Sequence, residues 1–210
     1  MPHRPTTPIK LVVLGRDGTI NEEREDFVAS ADDWVPLPGA LEAIARLNHA
    51  GWHVVVATNQ PGLGGGLFDM NVFNAVQLKM NALLQKHGGR VEAVFFCPHT
   101  AEDRCDCRKP LPGLYLKIGA RYGTDLSHVP VVGNALDDLQ AGIAAGCPVH
   151  LVLTGKAMRL DEAARADWLR QVPEAEVHAD LPACVDMLLH RERIARGEDD
   201  ASDSGYGVLS

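Results

Sequence analysis

The sequence lacks long apolar runs and an excess of basic residues. No stretch approaches the roughly 20 apolar residues that a transmembrane helix needs, and residues 1–7 lack the apolar segment of a signal peptide. We therefore expect a cytoplasmic protein that does not enter membranes. The chain carries 20 Lys and Arg against 28 Asp and Glu, a net charge of −8. This balance disfavours nucleic acid and anionic membranes as partners, so any phosphate binding must be local.

A regular cysteine framework is also missing, which argues against a secreted disulfide-rich fold. Three of the five cysteines cluster in one short segment, whereas Cys147 and Cys184 stand apart and are expected to pack in the core. Three thiols and one imidazole make a complete tetrahedral zinc set without a water position, as in structural sites. The segment therefore predicts a zinc-stapled loop; the alternative is incidental reduced cysteines near a surface histidine. The four predicted zinc ligands are Cys97, His99, Cys105 and Cys107.

Short apolar runs alternate with segments of helical periodicity along the 210 residues. Strands that are apolar on both faces indicate a mostly parallel sheet covered by helices. We therefore expect an α/β Rossmann-like three-layer sandwich, with a single domain over 9–192, an N-terminal extension over 1–8 and a disordered tail over 193–210. The predicted strands are Lys10–Leu14, His53–Thr58, Val91–Cys97, Val129–Val132 and Val149–Leu153, with a short one near Val177; the predicted helices are Pro38–Ala50, Asn71–His87, Gly113–Tyr122, Asp137–Ala145, Asp161–Arg170 and Pro182–Arg191.

Polar residues follow several predicted strands. In a parallel sheet, ligands bind beyond the carboxyl ends of the strands, so these clusters should face one crevice. The alternatives are that Thr58, Asn59 and Gln60 are only the polar end of a strand and that Arg108 and Lys109 are only a solvated basic pair. The segment 61–66 is predicted to be a flexible connecting turn. The candidate residues are Gly15, Arg16 and Asp17; Thr58, Asn59 and Gln60; Arg108 and Lys109; and Gly133, Asn134, Asp137 and Asp138.

Five sequence blocks in residues 9–156 carry a family resemblance: "GRDGTIN", "VVVATNQPGLGGGLF", "FFCPH", "CDCRKPLPG" and "VVGNALDDLQAG". They resemble the haloacid dehalogenase (HAD) superfamily of aspartyl-phosphate phosphatases, and within it the heptose 1,7-bisphosphate phosphatase family. The histidinol phosphatase domain is a close relative with a similar zinc loop. The resemblance implies a minimal cap over the sheet.

The resemblance also implies roles for individual positions. The nucleophilic aspartate of the family belongs at position 15, which is Gly15 here, and Asp17 stands at the acid/base position. Substrate binding is implied for Arg16, Thr58, Asn59, Gln60, Arg108 and Lys109. The implied Mg²⁺ site uses position 15, Asp17 and position 134. Because position 15 is glycine and position 134 is Asn134, both carboxylate ligands are missing, and we expect a sharp fall in Mg²⁺ affinity.

Two further departures are Gly65, where the family usually has arginine before the glycine, and Ala135, where it usually has lysine. We expect a catalytically inactive or severely impaired homologue that binds a phosphorylated sugar or another small phosphate ligand as a monomer. One alternative is an active heptose bisphosphate or histidinol phosphatase into which Gly15 and Asn134 were introduced. The other is a scaffold or partner-binding protein that has abandoned the pocket.

Overall fold

Six parallel strands form one sheet in a computed structural model, which describes residues 9–25 and 27–198. The order across the sheet is β3-β2-β1-β4-β5-β6, and each neighbouring pair is parallel. This confirms the predicted α/β class. The strands are β1 (Leu11–Leu14), β2 (His53–Asn59), β3 (Ala93–Cys97), β4 (Val131–Gly133), β5 (Val149–Val152) and β6 (Glu176–His178).

Helices connect the strands and cover both faces of the sheet. Val12 and Leu14 of β1 belong to one apolar cluster, whereas Leu11 and Val13 belong to the other. Since successive side chains of a strand point to opposite faces, this division follows directly from the sequence, and the result is the predicted three-layer sandwich. The helices are α1 (Ala40–His49), α2 (Pro61–Gly64), α3 (Met70–Lys86), α4 (Gly113–Tyr122), α5 (Leu136–Ala144), α6 (Gly155–Met158), α7 (Glu162–Gln171) and α8 (Leu181–Ala195), with a 3₁₀ turn at Leu126–His128.

The strand order places the candidate site at the centre of the sheet. The chain runs outward from β1 to β2 and β3, then returns to β4 on the other side of β1. Such a switch point opens a crevice beyond the carboxyl ends of the two central strands. In register, Leu14 pairs with Val56 on one side and with Val132 on the other. The residues that follow these strands therefore emerge at similar heights.

Three local predictions differ from the structure. The segment 61–66, expected to be a flexible turn, begins with the one-turn helix α2, which Pro61 starts at its first position. The short helix α6 was not expected. Helix α8 runs to Ala195, so the segment from 193 is not a tail at its start; Glu192 pairs with Arg196 one turn later and supports the last turn. The predicted extension (1–8) and most of the predicted tail (199–210) lie outside the described residues.

The segment between β1 and α1 forms only isolated bridges in its described part, Asp17 with Asn21 and Asn21 with Pro36. Among the described residues, no helix combines the length and apolar character needed to cross a bilayer.

Candidate functional site

A small cavity of about 90 Å³ lies beyond the carboxyl ends of β1, β2 and β4. A larger cleft of about 390 Å³ shares several of its walls and includes Gln60 and Arg108. The structure thus brings together the strand-end clusters chosen from the sequence, with Gln60 and Arg108 in the cleft instead of the small cavity and Gly133 in neither lining. The small cavity is lined by Gly15, Arg16, Asp17, Glu23, Thr58, Asn59, Lys109, Asn134, Ala135, Asp137, Asp138 and Lys156.

The carboxylate of Asp17 is held by three side chains. It accepts hydrogen bonds from Arg16 Nε (3.2 Å) and Nη2 (3.1 Å), from Asn21 Nδ2 (3.0 Å) and from Gln60 Nε2 (2.8 Å). Gln60 Nε2 also donates to Thr58 Oγ1 at 2.8 Å, which ties the end of β2 to the same network. Bonds to an ionised acceptor are stronger than neutral ones, so the network fixes the carboxylate in one orientation.

Arg16 is almost fully buried, with 2% of its surface exposed. Its guanidinium carbon lies 5.7 Å from the centre of the Phe73 ring, within the range of a cation–π contact. Nε and Nη2 bond to Asp17, whereas Nη1 is buried and has no hydrogen-bond partner among the described residues. A buried cationic donor without a partner is costly, so this atom has the capacity to bind an anion.

Gly15 lies directly after β1, and its N–H donates to Val132 O at 2.8 Å. A Cβ atom built on this residue would lie 2.9 Å from Thr19 Oγ1, 3.5 Å from Thr19 Cβ and 3.7 Å from Val132 O. Only the hydroxyl oxygen is too close, and a small shift of the Thr19 side chain, which is hydrogen-bonded to Asn134, would relieve this contact. The backbone therefore leaves room for a side chain at position 15, although the sequence supplies none.

Asn134 follows β4, is 2% exposed and is enclosed by backbone. We orient its amide so that both ends form hydrogen bonds. Nδ2 then donates to Asp17 O (2.9 Å) and Thr19 Oγ1 (3.1 Å), and the oxygen accepts from Lys156 N (3.1 Å). A Cβ at Gly18 or Gly155 would come within 2.2 or 2.3 Å of the side-chain amide of Asn134, and both residues have positive φ. The two glycines therefore allow the close approach of backbone to this amide.

Lys109 is 5% exposed, and its ammonium group has two partners. Nζ donates to Ala57 O at 2.9 Å and forms an ion pair with the carboxylate of Asp138. Asp138 also accepts from Ala135 N at 3.2 Å, at the start of α5. The backbone of Lys109 is in turn fixed by the side chain of Asn59. The lysine is thus held rigidly at the wall of the cavity.

Sequence reasoning missed Glu23 and Lys156 as site residues. Lys156 Nζ lies 3.6 Å from Glu23 Oε1, and Arg159 Nη2 lies 2.6 Å from Glu23 Oε2. A signal for Lys156 was present, because it follows β5 as the other candidates follow their strands. Asp137 is exposed at the cavity mouth, where partial desolvation and then the nearby Asp138 charge raise the pKa of its carboxyl.

The predicted zinc ligands come together at the end of β3. Their donor atoms all lie within 4.8 Å of one another. Cys97 Sγ lies 3.2 Å from Cys107 Sγ and 3.6 Å from Cys105 Sγ, and His99 Nδ1 lies 3.3 Å from Cys107 Sγ. Zn–S bonds of about 2.3 Å in a tetrahedron place sulfur atoms about 3.7 Å apart. The donor set and its spacing therefore fit a closed zinc site.

The cysteine cluster also orders the residues that follow it. Arg108 N donates to Cys105 Sγ at 3.3 Å, and Arg108 Nη1 donates to His99 O at 3.2 Å. Burial raises the pKa of the Cys105 thiol, but the hydrogen bond from Arg108 N and those involving Cys107 and Cys97 outweigh it and lower the pKa to about 7. Arg108 is thus positioned by the loop that the four ligands form.

Comparisons with known proteins agree with this geometry. A family model described as HAD-hydrolase-like matches residues 106–182. The D-glycero-beta-D-manno-heptose-1,7-bisphosphate 7-phosphatase of Bordetella bronchiseptica is 52% identical over 151 residues, covering 72% of this chain and 84% of the relative. The Pseudomonas aeruginosa protein of the same name is 46% identical over 149 residues, covering 71% and 84%.

The structure is also similar to a crystal structure of the B. bronchiseptica D,D-heptose 1,7-bisphosphate phosphatase with magnesium and phosphate. It matches with a TM-score of 0.81 and 47% identity, over 87% of this chain and 99% of that one. This chain belongs to the D,D-heptose 1,7-bisphosphate phosphatase family of HAD-like hydrolases. The resemblance inferred from the sequence blocks is thereby confirmed at the level of the family.

Magnesium does not fit the donors that this member of the phosphatase family presents. Position 15 has no side chain, and the amide nitrogen of Asn134 donates to the carbonyl oxygen of Asp17. Of the carboxylates that line the cavity, Asp138 is paired with Lys109, Asp17 with Arg16, and Glu23 with Lys156 and Arg159, whereas Asp137 lies exposed at the mouth. Hard divalent cations require several oxygen ligands, preferably charged. Because both carboxylates that the family pattern implies are absent, the donors present fit Mg²⁺ poorly.

Proposed function

We propose that this phosphatase-family chain binds a phosphorylated sugar, or another small phosphate ligand, without hydrolysing it. The observation that carries the proposal is that neither position 15 nor position 134 carries a carboxylate. Gly15 offers no nucleophile, and Asn134 donates to the carbonyl oxygen of Asp17 where the family would hold its metal.

The chemistry left at the site is too weak for phosphate-monoester hydrolysis. Without a carboxylate at position 15 the aspartyl-phosphate of the family cannot form there, and Asp17 stands at the acid/base position. General acid–base catalysis contributes typically ~10²- to 10⁴-fold, whereas the slowest phosphate-monoester hydrolyses need accelerations of up to ~10²¹-fold. Turnover is therefore expected at or near background.

Electrostatics supports binding without the metal. Restoring aspartates at positions 15 and 134 would add two negative charges, and one Mg²⁺ would cancel them. Counting positions 15 and 134 alone, the metal-free cavity therefore has the net charge that the family pattern has with its metal bound, although Ala135 in the lining supplies no charge where the family usually has lysine. The buried Nη1 of Arg16, which lacks a partner among the described residues, supplies a donor for a phosphate oxygen.

The surrounding positions support the same role. Thr58 and Lys109 line the small cavity, and Asn59 and Gln60 hold them through hydrogen bonds. Arg108 lines the adjoining cleft, where the remainder of a sugar phosphate would lie. We further propose that Cys97, His99, Cys105 and Cys107 hold a structural Zn²⁺ that fixes Arg108 and Lys109, in a cytoplasmic monomer.

A repair experiment tests the function. The chain and its Gly15→Asp/Asn134→Asp variant are assayed with Mg²⁺ against heptose 1,7-bisphosphate and histidinol phosphate, and phosphate binding is measured by calorimetry with and without Mg²⁺. We expect the parent to bind phosphate without Mg²⁺ and without turnover, and the repaired variant to gain Mg²⁺-dependent turnover that Asp17→Asn abolishes. Metal-dependent turnover by the parent would refute the loss of activity. Absence of phosphate binding by the parent would refute the binding role and favour a scaffold.

The zinc proposal has its own test. Metal content is measured for the parent and for Cys105→Ser, with Cys147→Ala as a matched cysteine outside the cluster. We expect Cys105→Ser to lose one equivalent of zinc and to melt at a lower temperature, whereas Cys147→Ala keeps the parent's zinc. Equal zinc content in all three proteins would contradict a zinc site at this loop.

A further inference from the structure

A second group of metal-binding side chains lies at the opposite edge of the sheet. His150 is in the middle of β5, His178 ends the edge strand β6, and Cys184 lies in the first turns of α8. One donor atom from each lies within 4.8 Å of the other two. The two imidazoles approach most closely, with His150 Nδ1 3.1 Å from His178 Nε2. Three elements that are separate in the sequence thus direct nitrogen and sulfur donors to one point.

We propose that His150, His178 and Cys184 form a second metal site, which takes Zn²⁺ or a similar divalent ion of borderline softness. Two imidazoles and one thiolate are a donor set that suits zinc and not magnesium. Zn–N bonds of about 2.05 Å and a Zn–S bond of about 2.3 Å in a tetrahedron place the donors ~3.3 to 3.6 Å apart. The observed spacing reaches this range with shifts of about an ångström or less.

The surroundings of the three residues leave the imidazoles in the form that binds a metal. His150 and Cys184 are buried, with 2% and 0% exposure, and His178 is half-buried, which leaves an entry path at the sheet edge. Burial lowers the pKa of His150 to about 4 and also lowers the pKa of His178, which favours the neutral imidazoles that act as metal ligands. Glu176, two residues before His178, lowers the cost of placing positive charge here, while its ion pair with Arg191 (2.7 Å) limits that effect.

The proposed ion would fasten the C-terminal part of the fold. Strand β6 has only three residues and pairs on one side with β5. An ion shared by β5, β6 and α8 would link this edge strand to the sheet and to the helix that packs on α1. The cysteine cluster at β3 occupies the other edge, so two metal ions would hold the two ends of one sheet.

Metal titration of the full chain tests the proposal. The metal-free protein is titrated with Zn²⁺ and, separately, with Co²⁺, whose thiolate charge-transfer absorption reports cysteine ligation. His178→Ala and Cys184→Ala are compared with His53→Ala and Cys147→Ala. Cys147 is a close control for Cys184, because both are buried and burial raises the pKa of each thiol to about 12.

We expect the parent to bind one equivalent of Zn²⁺ in addition to the one at Cys97, His99, Cys105 and Cys107. His178→Ala and Cys184→Ala should each lose this additional equivalent. Cys184→Ala should also lose part of the Co²⁺ charge-transfer absorption, and both control variants should retain all of the metal. If Cys184→Ala does not fold, His178→Ala decides, because its side chain is half-buried at an edge strand. Equal metal content in His178→Ala and His53→Ala would overturn the proposal and leave the two imidazoles as a hydrogen-bonded pair.

Discussion

The side chain of Asn59 and the backbone of Lys109 form two reciprocal hydrogen bonds. Asn59 Nδ2 donates to Lys109 O at 3.0 Å, and Lys109 N donates to Asn59 Oδ1 at 3.1 Å. The pair joins the end of β2 to the loop that follows the cysteine cluster. The position of the lysine therefore depends on an asparagine 50 residues earlier in the chain.

Replacing Asn59 with alanine should lower the free energy of unfolding by about 1–3 kcal/mol, because two hydrogen bonds are lost at about 0.5–1.5 kcal/mol each. Urea denaturation measures the change. Asn71→Ala is the control, since the Asn71 side chain bonds to Asp69 on the exposed surface and should matter by less than about 0.5 kcal/mol. Equal effects of the two substitutions would show that the reciprocal pair contributes nothing specific.

Alanine substitutions at Gly15 and Gly18 should differ strongly. At Gly15 the new Cβ meets only the Thr19 hydroxyl at 2.9 Å, and the unfolded chain loses entropy, so the net change should stay within about 1 kcal/mol. Gly18 has φ +78 and would place a Cβ 2.2 Å from the side-chain amide of Asn134. Strain and overpacking should then cost ~2–4 kcal/mol. Thermal unfolding distinguishes the two, and a large loss for Gly15→Ala would mean that position 15 has no room for a side chain.

Removal of the Lys109 ammonium should leave the buried Asp138 carboxylate without its cation. We expect Lys109→Met to destabilise the protein by ~3 kcal/mol, and the added change Asp138→Asn to recover part of that loss. Lys117→Met provides the comparison, because Lys117 lies 4.0 Å from Asp106 on the surface and such pairs contribute less than about 1 kcal/mol. Strictly additive losses in the Lys109/Asp138 double-mutant cycle would argue against coupling.

The N-cap of α3 should give a defined pH dependence. Hydrogen bonds from Val72 N and from the side chain and N–H of Asn71 lower the pKa of the Asp69 carboxyl below its ordinary value of 3.8. The folded state therefore favours the ionised form, so its contribution is complete above the unfolded pKa and is lost as the pH falls below that value. The stability advantage of the parent over Asp69→Asn should shrink across this range. A difference that does not vary with pH would exclude the Asp69 charge as its source.

The fold was predictable from the sequence because its signal is local. Five apolar runs gave the strands in their observed positions to within about two residues, which is the usual uncertainty of an element boundary. The strand-end rule also selected most of the cavity lining, since it depends only on where parallel strands end. The one-turn helices α2 and α6 were missed, because four residues are too few to show a helical period.

Contacts between distant segments were not predictable in the same way. Glu23 joins the site only because its loop folds back toward Lys156 and Arg159. His150 appears in the sequence as one polar residue in an apolar strand, and Cys184 as one more core cysteine. Their approach to His178 depends on the order of β5 and β6 and on the placement of α8, which no single segment encodes.

The open space at Gly15 has a genetic consequence. Asparagine at position 134 is a single base change from aspartate, and glycine at position 15 is also one base change away when its codon ends in a pyrimidine. The new Cβ requires a small shift of the Thr19 side chain, whose hydroxyl oxygen would lie 2.9 Å away, while the nearest backbone atom, Val132 O, lies at an ordinary 3.7 Å. A gene that encodes this chain can therefore regain both family carboxylates by point mutation, with the same backbone serving before and after.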